Sequence, residues 1–184
     1  MKTFKSKLMV LAISLATAAS MALASPASAS PGADGDAQTN NKIRKELVTL
    51  PYYGVFDNLA YEVNGDTVTL SGQVVRPSTR KDAERRIAGI EGVDRVINNI
   101  EVLPVSQFDD SIRVRAYRAV FRSGSNYRYS MGANPSIHLI VNRGHVTLEG
   151  VVSNKMDSQL AYMAARGVSG VFSVTNNLRV ASGS

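Results

Sequence analysis

The sequence predicts an α+β protein built from two sister units, each ordered helix–strand–strand–helix–strand. Three observations predict it. Sliding the 184-residue chain by 78 positions lays Val63–Val102 on Val141–Val180 without a gap, and fifteen of those forty positions are identical. Within each copy the apolar residues change from helical spacing to strict alternation and back. Turn-forming residues stand at the changeovers.

In the first copy, Ile43, Leu47 and Leu50 recur at i, i+4, i+7, one stripe of a helix that Pro51 ends. Leu59, Tyr61 and Val63 then alternate as a strand, and Asn64-Gly65-Asp66 turns it back as a hairpin. Val68 and Leu70 continue the alternation. Ser78 or Thr79 can cap a second helix with the stripe Ala83, Ile87 and Ile90. Gly89 and Gly92 punctuate its end, and Val93 to Leu103 alternates as a third strand.

The second copy repeats the plan. Its helices run over Ile112 to Phe121 and Asp157 to Arg166, and its strands over Ile137–Val141, His145–Val151 and Val171–Val180. A three-stranded mixed sheet covered on one face by two helices is a two-layer core. The units are bounded at 41–104 and 108–181. Each is small enough to have a marginal core, so the two are expected to pack on one another.

The leading residues carry a different signal. Lys2, Lys5 and Lys7 precede an apolar run from Leu8 to Leu23, and Ala27-Ser28-Ala29 has the small-x-small pattern of a cleavage site. Residues 1–29 therefore read as an export signal, too short and too rich in hydroxyls to span a membrane. Residues 30–40 (SPGADGDAQTN) read as a disordered lead-in. Without the signal the formal charge falls from +6 to +3. The protein is expected to be exported and, after signal removal, soluble in its compartment. No cysteine follows the apolar run to carry a lipid anchor.

Composition excludes several chemistries. With no cysteine there is no disulfide scaffold, thiolate zinc site or cysteine nucleophile. His138 and His145 are the only histidines, and copy one has Ala60 and Thr67 in their places, so both read as ordinary surface residues. There is no phosphate loop, nucleophile elbow or HExxH. Asn98 and Asn176 share parity with apolar strand positions and read as structural amides bonded locally. Gly72, Gly92, Gly150 and Gly170 read as backbone-geometry residues. No enzyme site, cofactor or metal is expected, and low charge with few aromatics argues against nucleic acid.

Two motifs carry a family resemblance. V-x-L-x-G recurs on the second strand of each copy, as Val68, Leu70, Gly72 and Val146, Leu148, Gly150. G-V-x-x-V-x-N-x-[IL] follows the second helix, from Gly92 to Ile100 and from Gly170 to Leu178. With the element order, these resemble the BON domain, and a signal ahead of two such units resembles the OsmY-like tandem-BON periplasmic proteins. The resemblance implies a non-enzymatic role: binding phospholipid surfaces, supporting the envelope under osmotic stress, or chaperoning exported and outer-membrane clients.

Charge separates the copies. From Asn41 to Pro104 nine bases meet nine acids; from Val105 to Val180 nine bases meet four. The excess gathers in Arg113, Arg115, Arg118, Arg122 and Arg128. Arg115, Arg118 and Arg122 share a helix face, Tyr117 and Phe121 form an aromatic edge, and Tyr127, Tyr129 and Met131 follow in a Gly/Ser-rich loop. Such a face suits a reversible contact with an anionic phospholipid surface, or alternatively with envelope protein clients. Four or five arginines supply roughly 4–5 kcal/mol at an anionic leaflet, about millimolar affinity. Apolar insertion must add the rest.

Overall fold

The computed structural model describes residues 31–132 and 134–181; the expected export signal lies outside them. Helix α1 (Pro31–Val48) buries Ile43 and Leu47. Rather than a disordered lead-in, residues 31–40 continue this helix backward. Once the packed turns around Ile43 have formed, each added residue fixes little extra chain, so the polar stretch can follow.

Strands β1 (Asn58–Asn64) and β2 (Thr67–Val74) form the antiparallel hairpin. Helix α2 (Pro77–Ala88) crosses back to β3 (Arg95–Val102), which pairs with β2 in parallel. The helix starts at Pro77, whose fixed φ suits the first turn. Neither Ser78 nor Thr79 caps it; the Thr79 side chain is buried. Val68, Leu70, Val74, Ala83, Ile87 and Ile100 join the α1 residues in one core.

The second unit repeats this with α3 (Gln107–Arg122), β4 (Ile137–Asn142), β5 (His145–Val152) and α4 (Lys155–Arg166). Ser106 caps α3 and Asn154 caps α4, each accepting the N–H three residues on. A 3-10 turn, Gly124–Ser130, follows α3. The last strand is broken into β6 (Ser173–Asn176) and β7 (Arg179–Val180), both parallel to β5. A separate core forms around Ile112, Val120, Ile137, Leu139, Leu148 and Ala161.

The repeated glycine of V-x-L-x-G has a definite cause. Gly72 and Gly150 take φ +115° and +117°, and an added Cβ would stand 2.1 Å from the Asn58 carbonyl and 2.0 Å from that of Ser136. Only a missing side chain lets the hairpin partner cross there. The paired asparagines differ from expectation in their partners. Each bonds a strand to the second helix: Asn98 Nδ2 donates to the Arg80 carbonyl and Glu84, and Asn176 Nδ2 to Ser158. Each Oδ1 accepts the N–H two residues on.

The connector from Pro51 to Asp57 joins the two units. Leu139, on the outer edge of β4, donates its N–H to the Val55 carbonyl at 2.7 Å. His138 Nδ1 lies 3.3 Å from the Gly54 carbonyl, and its ring lies 5.6 Å from that of Tyr53. Asn134 Nδ2 donates to the Val48 carbonyl. His138 is thus a half-buried part of this junction and not a surface residue. The two histidines do not approach as a pair, since His138 faces Glu149 across the ladder and His145 faces Asn142.

Candidate functional site

Helix α3 divides its arginines between two environments. Arg113 is 3 % exposed. Its guanidinium donates to the Val141 carbonyl at 2.8 Å and to Asp110 at 2.5 Å, tying the helix to β4. It has no surface to offer a partner, contrary to the sequence reading. One residue before and after Ala116, the helix turns outward. Arg115, Arg118 and Arg122 are exposed and no ion pair forms at any of them among the described residues. Arg115 donates to the Ser169 carbonyl. Three unneutralised guanidinium groups remain on one face.

The loop divides in the same way. Tyr127 and Met131 are exposed, at 61 % and 68 %. Tyr129 is buried, and its hydroxyl donates to Asp157 at 2.5 Å. Asp157 also accepts from Ser125 and ion-pairs with Arg128. These hydrogen bonds, that of Ser125 foremost, hold the Asp157 carboxyl below its ordinary range. Arg128 keeps some exposure, but its charge is matched. Tyr129 and Arg128 thus pin the loop to the N-terminus of α4 instead of facing a partner.

Phe121 is also buried, yet it forms the base of something the sequence reading missed. Its ring lies 4.8 Å from that of Tyr117, which meets Phe56 edge-on at 6.3 Å. Val55, Phe56, Val114, Tyr117 and Phe121 line a groove of about 560 Å³ between α3 and the connector of the first unit, with Arg118 and Arg122 on the same groove. The only sequence signal was an apolar cluster, Tyr53 to Phe56, in a segment that reads as a loop.

A second overlooked residue is Asp109, fully inside the fold. Its carboxylate accepts the N–H groups of Arg143 and Gly144 at 2.8 Å each and so fixes the β4–β5 turn. Among the described residues, no group of three His, Asp or Glu side chains stands close enough to hold a metal ion. No helix there is long and apolar enough to cross a membrane.

The BON domain family model matches residues 35–104 and 128–182, well over half of the chain. The chain belongs to the BON domain family. BON domains are associated with membrane and phospholipid binding, are generally non-catalytic and are common in periplasmic proteins. Helix α3 lies between the two matched segments. No curated protein matches the chain. Among solved structures it is similar to the C-terminal domain of CdsD, a structural protein of the type III secretion system of Chlamydia trachomatis. The identity is 11 %, over 77 % of this chain and 96 % of that one, with a TM-score of 0.27. A second CdsD structure gives 11 % identity, 79 % and 94 % coverage, and a TM-score of 0.28. Scores this low bear on neither arrangement nor role.

Proposed function

We propose that this BON protein is a non-enzymatic periplasmic envelope component, of the OsmY-like kind, that docks reversibly on anionic phospholipid and supports the envelope under osmotic or other stress. The observation that carries the reading is the outer face of α3, where Arg115, Arg118 and Arg122 stand without ion-pair partners among the described residues beside exposed Tyr117, Tyr127 and Met131. Three free arginines contribute roughly 3 kcal/mol at an anionic leaflet, short of the ~4.1 kcal/mol of millimolar affinity. Apolar side chains must supply the remainder, which makes binding weak and strongly salt-sensitive.

Co-sedimentation with phosphatidylglycerol vesicles tests this. Wild-type protein is expected to pellet at low salt and to be released at high salt, while R115E/R118E/R122E stays in the supernatant at both. Equal pelleting of wild type and triple variant rejects the α3 face. A second reading, the holding of protein clients, is favoured by Met156 and Met163, exposed on α4 two turns apart, since flexible thioethers adapt to varied apolar partners. Suppressed client aggregation without any vesicle binding would select that reading.

A further inference from the structure

We propose that the groove between α3 and the 53–57 connector receives the acyl chain of a single anionic phospholipid, whose phosphate is held by Arg118 and Arg122. This rests on the lipid reading above and names the ligand of that face. A flat docking surface needs charge and a few inserting side chains, but it does not need a trough. Here Phe56, Tyr117 and Phe121 meet in tilted and edge-on contacts as an aromatic floor, Val55 and Val114 add aliphatic walls, and the open trough measures about 560 Å³. That volume lies within the roughly 300–1,000 Å³ of small-molecule sites. No carboxylate lines it, and its two cations lack ion-pair partners among the described residues. Apolar floor and unneutralised arginines together fit a ligand that is a hydrocarbon at one end and an anion at the other. One wall comes from the first unit and the other from the second, so the site exists only in the joined pair.

Lysophosphatidylglycerols of increasing chain length, held below their critical micelle concentrations, provide the probe, with calorimetry and amide chemical shifts as readouts. Affinity is expected to rise about fourfold per added methylene, then to level off when the groove is full, with shifts at Val55, Phe56 and Val114. Glycerol phosphate, which has the anion without the chain, is expected to bind far more weakly. Lysophosphatidylcholine, whose net charge is zero, is expected to do the same. V114Q changes a helix position already 45 % exposed, so the fold tolerates it. It should weaken the monomeric lipid roughly five- to tenfold. Vesicle binding without monomer binding, or affinity independent of chain length, overturns the groove and leaves the surface reading standing. Equal affinity for the zwitterionic lipid overturns the phosphate role of the arginines. Failure to bind either monomers or vesicles overturns both readings.

Discussion

Arg113 and Arg118 lie five residues apart on one helix in opposite surroundings. Arg113 is walled in by the second core and holds the Val141 carbonyl, so R113Q should lower stability by about 1–3 kcal/mol while leaving vesicle binding of the folded protein unchanged. R118Q should do the reverse, weakening vesicle binding without moving the denaturation midpoint. Parallel denaturant titrations and co-sedimentation check both; a binding defect confined to R113Q would sink the division. Glycine supplies the other test at this scale. G150A puts a methyl group 2.0 Å from the Ser136 carbonyl at φ +117°, and strain plus clash should cost upwards of about 3 kcal/mol. A mild effect would mean that the hairpin crossing gives way easily.

At the scale of elements, the two first helices differ in the charge they expose. Both bury an aliphatic stripe; among the described residues α3 carries three exposed arginines free of ion pairs, whereas α1 carries exposed Lys42, Arg44 and Lys45, and its Glu46 pairs with Arg86 of α2. Lipid contact should track α3. Amide shifts on titration with anionic micelles are expected to gather between Asp110 and Met131, and a matching response from α1 would contradict that asymmetry. The helices themselves were legible because the i, i+4, i+7 stripes of Ile43/Leu47/Leu50 and Ala83/Ile87/Ile90 are periodic signals. Which arginine faces outward was less legible. Arg113 and Arg115 are only two residues apart, but a helix turns about 100° per residue, which places them on opposed sides.

At the scale of the whole molecule, the joint between units is a titratable clasp. Burial is the main reason that His138 ionises below its ordinary pKa of 6.5; the Gly54 carbonyl, Asp57 and Glu149 oppose the shift. A depressed imidazole favours the folded state in its neutral form. Its stabilisation is complete above the unfolded value and is lost as pH falls through the folded one. Asp57 beside it is shifted upward, chiefly by burial, so its own protonation at lower pH works in the opposite sense. Thermal stability should thus decline as pH falls from about 7.5 to about 5.5, and H138Q should flatten that decline. An unchanged profile in H138Q would assign the decline to other groups. The junction left a further mark in the sequence, one that alternation obscured. Ile137-His138-Leu139-Ile140-Val141 is apolar on both parities, where copy one has Ala60 and Glu62 in place of His138 and Ile140. A strand read as near-continuously apolar is one covered on both faces, and Ile140 is indeed buried outside the second core.

By itself the sequence determined the duplication, the order of elements in each copy, the two core stripes, the obligatory glycines and the charge excess of the second half. All of these depend on neighbours within a few residues or on a repeat that can be laid over itself. Tertiary structure alone decided which charged groups stay at the surface, how Asp109 and Asp157 are consumed by turns and caps, and that Val55 and Phe56 meet Tyr117 across the junction. Those outcomes depend on residues distant along the chain arriving at one place, and a side chain's solvation is settled only by what packs over it.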